Sequence, residues 1–305
     1  MRSSQTTATI MRDVLIALIP ALVVAVRAFG WSALLLVLVC LLASVAFEHL
    51  YCRAVGQKST IKDLSAAVTG VLLAFNLPPG LPVWMAVVGC FVAIVIVKML
   101  FGGLGRNFAN PAIVGRIVLM ASFAGSMTTW WPAGRITRGV DAITAPTPLQ
   151  EYAMAAAGET LVTLPSYMDL FLGRVGGSLG EISALALIIG GVYLVVRRVI
   201  TITEPLAFIG TVLVFSFVLG GDGVFHILAG GVMLGAVFMG TDYVTTPTNE
   251  SGKLIFGIGA GVITVLIRFY GAFPEGVSFG ILIMNLVTPH IDNLTALKPF
   301  GGDRP

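Results

Sequence analysis

Two threonine hydroxyls lie in a short stretch with prolines, Thr144-Ala145-Pro146-Thr147-Pro148. Because Thr147 lies between two prolines, its backbone is biased towards the extended region, and we expect its hydroxyl to project from a stiff loop rather than a helix. A hydroxyl presented in this way suits covalent modification. From the spacing alone, an unmodified loop threonine is the ordinary interpretation.

A second set of polar side chains interrupts apolar segments, mostly just before prolines. An ionisable residue at membrane depth is costly and is a candidate for function by default, so Asp242 is the strongest of the set. The alternative is that these groups only cap broken helices. The set comprises Asn76, Asn107, Asn110, Arg116, Thr241 and Asp242.

The elements that position these residues are predicted to be membrane helices. The chain has 305 residues, of which 57% are hydrophobic and only 11% charged, and its mean hydropathy is +0.96. Several apolar runs reach the length of about 20 residues that spans a bilayer. There are no strand patterns, and a net charge of +3 is too small to indicate nucleic acid as a partner. The sequence therefore predicts an all-α polytopic membrane protein.

About ten apolar segments are predicted, five on each side of one long polar interval. This divides the chain into a first membrane repeat (1–124), an extracytoplasmic loop (125–181), a second membrane repeat (182–290) and a cytoplasmic tail (291–305). The segments cover residues 14–26, 31–50, 64–77, 82–100, 111–124, 182–196, 205–219, 225–240, 254–270 and 277–289.

The two halves resemble each other in sequence. The stretch from Gly70 to Asn76 aligns without a gap with that from Gly235 to Thr241, and further along Arg116 corresponds to Asn285. With an odd number of spans in each half, the second copy enters the membrane from the opposite side. This predicts an inverted repeat, with a functional site near its centre.

The distribution of basic residues predicts that both termini are cytoplasmic and that the loop of Thr147 lies outside. Twelve basic residues fall inside on this topology: Arg2, Arg12, Arg53, Lys58, Lys62, Lys98, Arg106, Arg197, Arg198, Lys253, Lys298 and Arg304. Five fall outside: Arg27, Arg135, Arg138, Arg174 and Arg268.

Other conspicuous residues have simpler interpretations. Cys40, Cys52 and Cys90 are spaced neither for a zinc site nor for a cluster, so we interpret them as packing residues. The glycines at 230–231 and 257–261 follow no strand, and close helix contacts are the more plausible role.

The stretch from Asp141 to Leu149, followed by a second apolar half containing Gly240-Thr241-Asp242-Tyr243-Val244-Thr245-Thr246-Pro247, resembles the D subunit of the Rnf complex. The resemblance covers nearly the whole chain. In that family a Ser/Thr-x-Ala-Thr motif ends in a threonine that carries FMN through a phosphoester bond. The motif corresponds here to residues 144–147, with Pro146 where the family usually has alanine.

The resemblance implies covalent FMN at Thr147, attached by a separate flavin transferase that must accept Pro146. Thr144 is the competing hydroxyl, and Asp141 either binds the flavin or caps a local turn. A second, non-covalent flavin (riboflavin) or an ion path is implied among the interior polar residues around Asp242.

The resemblance also implies partners and a setting. The partners are the other Rnf subunits, especially the G subunit that carries FMN, in the plasma membrane of a bacterium or archaeon. In the family, the whole complex couples ferredoxin oxidation and NAD⁺ reduction to Na⁺ or H⁺ translocation. Substrate sites are expected on the partner subunits.

Two alternatives remain open. The B subunit of the sodium-pumping NADH:quinone reductase is a close relative, but it carries a longer N-terminal region. Here the first helix begins after only about a dozen residues, which favours the Rnf type. A cofactor-free channel or carrier also suits inverted five-helix repeats. It would have no need of proline-flanked threonines outside the membrane, so we favour the redox subunit.

Overall fold

The chain folds into helices, with no strand within the residues that the computed structural model describes, which are 6–134, 145–158, 163–271 and 275–296. Asp141 and Thr144 lie outside the described residues. The first half contains α1 (Thr7–Phe29), α2 (Trp31–Val55), α3 (Ser65–Phe75), α4 (Val83–Phe91, continued as a π-helix over Val92–Met99), α5 (Pro111–Ser122) and the short α6 (Ala124–Met127).

The second half contains a similar series of helices, preceded by two short ones in the predicted loop. The loop helices are α7 (Pro148–Ala156) and α8 (Tyr167–Leu172). They are followed by α9 (Ala184–Val196), α10 (Thr203–Val218), α11 (Gly223–Leu228), α12 (Val232–Leu234, continued as a π-helix over Gly235–Met239), α13 (Glu250–Tyr270) and α14 (Val277–Thr295).

Each of the ten predicted apolar segments contains helix, and the one predicted at 225–240 is broken into α11 and α12. Three helices, α1, α2 and α13, are long and apolar enough to cross a membrane. Apolar helices of 10 to 17 residues account for five more of the segments. The prediction of an all-helical membrane protein is confirmed at this level.

The break between α11 and α12 depends on a left-handed residue. Ala229 leaves the helix in an extended conformation, and Gly230 follows at φ +68°, which glycine adopts without the strain of a side chain. A Cβ at Gly230 would also lie 2.6 Å from the Leu149 side chain and 3.1 Å from the Arg268 guanidinium. The chain can therefore turn here and still pack closely.

Close helix packing through small residues is also observed where the sequence predicted it. A Cβ added to Gly257 of α13 would lie 2.8 Å from the carbonyl oxygen of Glu204 on α10, and one at Gly261 would lie 2.7 Å from Thr211. The backbones of α10 and α13 approach each other because these positions lack side chains. Cys40, Cys52 and Cys90 are all buried.

The central segment is docked on α11 rather than being a free loop. Leu149 of α7 and Leu170 of α8 form a buried apolar cluster with Phe225 and Ala229. The main-chain N–H of Asp222 donates a 2.8 Å hydrogen bond to the Tyr152 hydroxyl. Helices α7 and α8 are therefore positioned by the second half of the chain.

Candidate functional site

Thr147 is the N-cap of α7. Its backbone is extended, at φ −74° and ψ 158°, as predicted. The main-chain N–H of Gln150 donates to the Thr147 hydroxyl at 3.3 Å, and the main-chain N–H of Thr147 donates to Gln150 Oε1 at 2.9 Å. These two bonds form a capping box.

The prediction that the Thr147 hydroxyl projects from a loop is wrong, because the residue caps a helix and is only 4% exposed. The prolines do not prevent a helix here, since Pro148 occupies the first helical position, where its missing N–H costs nothing. The sequence carried the signal for this arrangement: a threonine followed three residues later by glutamine, with proline between them.

The surroundings of Thr147 differ on its two sides. With Glu181 and Glu275, Thr147 lines a narrow pocket of about 10 Å³. Its neighbours Pro146 and Pro148 line a wider cavity of about 230 Å³, together with Glu151 and Arg174. Among the described residues that line this cavity, Arg174 is an exposed cation, and its ion pair with Asp169 is long, at 3.9 Å. Partial burial raises the pKa of Glu151.

A buried ionic network surrounds Arg116 of α5. Its Nη1 donates to Asn76 Oδ1 at 2.8 Å and to the Ser278 hydroxyl at 3.1 Å, while Nη2 pairs with the Glu275 carboxylate. Glu181 also acts electrostatically on Arg116. The network connects the end of α3, the middle of α5 and the start of α14.

Met239 connects this network to a second polar group. The Asn76 side-chain amide donates to Met239 Sδ at 3.3 Å, and the Asn110 amide donates to the Met239 carbonyl at 3.1 Å. Asn285 accepts from the main-chain N–H of Asn110 at 3.1 Å and donates to the Thr245 carbonyl at 3.0 Å. The two halves of the chain are thus connected through uncharged amides.

The second polar group lines a cavity of about 90 Å³ beside α3. Its polar lining residues are Ser65, Thr69, Lys98, Asn107, Asn110, Thr241, Asp242 and Tyr243. Asp242 is half-buried and accepts from the Val244 N–H at 3.3 Å and from the Thr245 hydroxyl at 3.2 Å. Asp242 therefore caps its own turn and also faces the cavity.

The six interior residues singled out by the sequence thus fall into two groups. Asn76 and Arg116 belong to the ionic network, whereas Asn107, Asn110, Thr241 and Asp242 line the cavity. Asn110 also caps α5, where its side chain accepts from the N–H groups of residues 112 and 113.

Several buried charges were missed as site residues by sequence reasoning. Lys98 was counted only among the basic residues on the cytoplasmic side, but it donates to Glu48 at 2.5 Å and to the Ser65 hydroxyl at 2.6 Å, and all three are buried. Arg268 was likewise counted as an outer charge. It is buried and donates to the carbonyl oxygens of residues 226 and 229, at 2.6 and 3.2 Å, where α11 ends.

Sequence reasoning also missed Glu181, Glu204 and Glu275, although the structure buries all three carboxylates. The available signal was a charged residue inside or beside an apolar segment. Such a residue needs a buried partner. Sequence alone does not indicate which residue the partner is.

The sequence model of the NQR2, RnfD, RnfE family matches residues 1–301. The chain belongs to this family. Its resemblance to the D subunit of the Rnf complex is confirmed by named relatives that align with nearly the whole chain.

Three relatives illustrate the range of similarity. The D subunit of the Na⁺-translocating ferredoxin:NAD⁺ oxidoreductase complex of Acetobacterium woodii is 47% identical over 98% of this chain and 92% of its own. The D subunit of the proton-translocating ferredoxin:NAD⁺ oxidoreductase complex of Clostridium ljungdahlii is 41% identical over 99% of this chain and 94% of its own. The D subunit of the ion-translocating oxidoreductase complex of Halorhodospira halophila is 37% identical over 97% and 92%.

Proposed function

We propose that this chain is the membrane-embedded D subunit of an Rnf-type ion-translocating electron transport complex, carrying FMN covalently at Thr147. The observation that carries the assignment to a D subunit is the 47% identity to the Acetobacterium woodii D subunit over 98% of the chain. Covalent FMN at Thr147 is what the resemblance to the family implies. Electrons pass through this subunit in a process coupled to Na⁺ or H⁺ movement. Ferredoxin and NAD⁺ bind partner subunits, and the G subunit is the expected neighbour in electron transfer.

The residues around Thr147 suit a phosphate ester. The N-terminus of a helix favours an anion through its dipole, and Thr147 caps α7 at that end. Arg174 lines the adjacent cavity of about 230 Å³ and is available as a cation for a phosphate. When bound there, the flavin ring supplies the electron-transfer chemistry, and the protein supplies position and electrostatics.

Attachment requires the Thr147 hydroxyl to be released from its capping bond. The bond it would give up is the long one, 3.3 Å from the Gln150 N–H. The other half of the capping box, from the Thr147 N–H to Gln150 Oε1, does not involve the hydroxyl. Rotation of the side chain towards the wider cavity therefore leaves α7 partly capped. A flavin transferase would act on this rotated form.

The interior cavity does not suit a second flavin in its present shape. Its volume of about 90 Å³ is smaller than a cavity of about 150 Å³ that holds a single benzene ring. The three-ring system of riboflavin does not fit there without movement of the helices. We therefore assign Asp242 and the other cavity residues to ion movement.

An inverted repeat with both termini cytoplasmic is part of the proposal. The inverted repeat is supported by a reciprocal pair of contacts. The Arg116 guanidinium of α5 donates to the Ser278 hydroxyl at the start of α14, and Asn285 of α14 accepts from the main-chain N–H of Asn110 at the start of α5. Arg116 and Asn285 are the residues that correspond in the sequence repeat. Reciprocal contacts of this kind are expected across a two-fold axis.

Substitution of the two threonines tests the covalent flavin. The chain is produced together with the flavin transferase, and flavin fluorescence is read after denaturing electrophoresis. Thr147→Ala should lose the fluorescence and Thr144→Ala should keep it. Loss of one N-cap costs about 1 kcal/mol, so the Thr147→Ala protein should still fold.

The other outcomes are equally informative. Fluorescence retained in Thr147→Ala and lost in Thr144→Ala would move the attachment to Thr144. A parental protein without covalent flavin, produced with an active transferase, would exclude FMN at Thr147 and leave the membership of the family unchanged.

A further inference from the structure

Glu151 is a carboxylate one helical turn away from Thr147. Thr147 is the N-cap of α7, and Glu151 lies four residues further along, in the first turn. The main-chain N–H of Glu151 donates to the Thr147 carbonyl at 2.9 Å, so the two residues are neighbours on one face of the helix. A helical side chain leans towards the N-terminus of its helix, and that of Glu151 therefore leans towards Thr147.

The Glu151 side chain lines the wider of the two spaces beside Thr147. This cavity of about 230 Å³ is also lined by Pro146 and Pro148, which flank Thr147, and by Arg174. The narrow pocket on the other side has about 10 Å³, which is room for about one water molecule. A flavin phosphate therefore approaches the Thr147 hydroxyl from the side on which Glu151 lies.

Two other carboxylates near Thr147 face the narrow pocket and already have partners. Glu181 and Glu275 line that pocket. Glu275 pairs with the Arg116 guanidinium, and Glu181 Oε1 accepts a main-chain N–H at 3.0 Å. Among the described residues, Glu151 is the carboxylate that lines the wider cavity.

The half-buried carboxylate of Glu151 is able to accept a proton. Within the described part of the chain, partial burial raises the pKa of Glu151, and no charged neighbour or hydrogen bond contributes to the shift. Arg174, the charged group that shares the cavity with it, is 70% exposed and lies 3.9 Å from Asp169. A general base is most effective when its pKa is close to the operating pH, so a raised carboxylate pKa favours this role.

We propose that Glu151 is the general base for attachment of the flavin and takes the proton from the Thr147 hydroxyl during phosphoryl transfer. This role of Glu151 rests on the proposed covalent flavin. A threonine hydroxyl is a weak nucleophile unless an adjacent base activates it. The position of Glu151 supplies such a base from the modified chain itself, so the transferase need not provide one.

The atoms of the transfer step balance as follows. The bond between Thr147 Oγ and phosphorus forms, while the bond between phosphorus and the leaving oxygen breaks. The leaving group keeps the bonding electron pair, and the hydroxyl proton moves to Glu151 and then to solvent. Ester formation from a phosphate monoester is unfavourable in water. The donor is therefore a flavin nucleotide with a phosphoanhydride bond, and the leaving group is its second phosphate.

The rate of attachment to the purified full-length chain in detergent tests this role. The chain is mixed with the transferase and flavin adenine dinucleotide, and flavin fluorescence is read at intervals after denaturing electrophoresis. Glu151→Gln should be modified about a hundredfold more slowly than the parent, since a positioned general base contributes about 10²–10⁴-fold. Its thermal unfolding midpoint should match that of the parent, which shows that the variant is folded.

Two further readouts separate proton acceptance from a structural role. The parental rate divided by the Glu151→Gln rate should fall as pH is lowered through the pKa of Glu151, because a protonated carboxyl cannot accept a proton. This ratio removes the pH dependence of the transferase itself. In Glu151→Ala, added formate should raise the rate by about tenfold or more, since a small carboxylate fits the space that is left and acts as the base.

Asp169→Asn is the matched control. It removes a carboxylate that lies 3.9 Å from Arg174 but is not part of the cavity lining. This variant should keep the parental rate of attachment at every pH, and formate should not change it.

The proposal is overturned if Glu151→Gln is modified at the parental rate, if the ratio of the two rates is independent of pH, or if formate leaves the rate of Glu151→Ala unchanged. A parent that acquires no covalent flavin under these conditions would overturn the flavin at Thr147 and the role of Glu151 together. Attachment at equal rates in the parent and in Glu151→Gln would overturn the role of Glu151 alone. The two failures are therefore distinguishable.

Discussion

Replacement of Arg116 by methionine should be among the most destabilising single changes in the chain. The Arg116 guanidinium holds the buried Glu275 carboxylate, Asn76 Oδ1 at 2.8 Å and the Ser278 hydroxyl at 3.1 Å. Arg116→Met keeps much of the side-chain volume but leaves Glu275 buried without its counter-charge. Removing one partner of a buried pair costs about 3–5 kcal/mol.

A double substitution separates the pair from its surroundings. Replacing both members of a buried ion pair with apolar residues is often close to neutral. Arg116→Met with Glu275→Met should therefore be more stable than Arg116→Met alone, by several kcal/mol. Arg174→Met is the matched control, because Arg174 is 70% exposed and lies 3.9 Å from Asp169. It should change stability by about 1 kcal/mol or less.

Unfolding of the purified chain with increasing denaturing detergent, followed by tryptophan fluorescence, measures the parent, Arg116→Met, Glu275→Met, the double variant and Arg174→Met. Arg116→Met within about 1 kcal/mol of the parent would refute the argument that a buried charge is left unpaired. A double variant as unstable as the sum of the two single ones would refute the pairing with Glu275 in particular.

Three other predictions concern other parts of the chain. Asp242→Asn should keep the covalent flavin but slow ion movement in the reconstituted complex, and unchanged ion and electron rates would reduce Asp242 to a turn cap. A cysteine at Ala157, which is exposed, should react with an impermeant thiol reagent in intact cells and one at Ser251 should not; the opposite result would overturn the topology. Burial raises the pKa of Asp222, but hydrogen bonds from Tyr167 and from main-chain N–H groups outweigh it and lower the pKa overall. The stabilisation from a depressed carboxylate pKa is present above the pKa of the unfolded state and is lost as pH falls through the pKa of the folded state. The parent should therefore lose more stability than Tyr167→Phe between about pH 6 and pH 3. Equal losses would exclude a contribution of the Tyr167 hydrogen bond.

The helical architecture could be predicted because apolar run length reports directly on membrane burial. Asn76 and Thr241 were found because polar residues before prolines interrupt such runs. The partners of Arg116 could not be predicted, since Glu275 and Ser278 lie more than 150 positions away in the chain. Their pairing depends on how α5 and α14 cross.

The Thr147 hydroxyl illustrates a different limit. Flanking prolines indicate an extended backbone, which is observed, but extended geometry is shared by stiff loops and by N-caps. The glutamine at position 150 indicates an N-cap rather than a stiff loop. A prediction made from the prolines alone does not use this residue.

The short length of α3 has an electrical consequence. With 11 residues and a rise of 1.5 Å per residue, it is about 16 Å long, roughly half of a hydrocarbon core of about 30 Å. The polar cavity runs beside it, along Ser65 and Thr69, and Asn76 at its other end belongs to the Arg116 network. One elementary charge exchanges about 2.3 kcal/mol with a voltage of 100 mV across the whole membrane. Since α3 covers about half of the core, an ion that moves along its full length would exchange about half of this energy when the voltage falls evenly across the core.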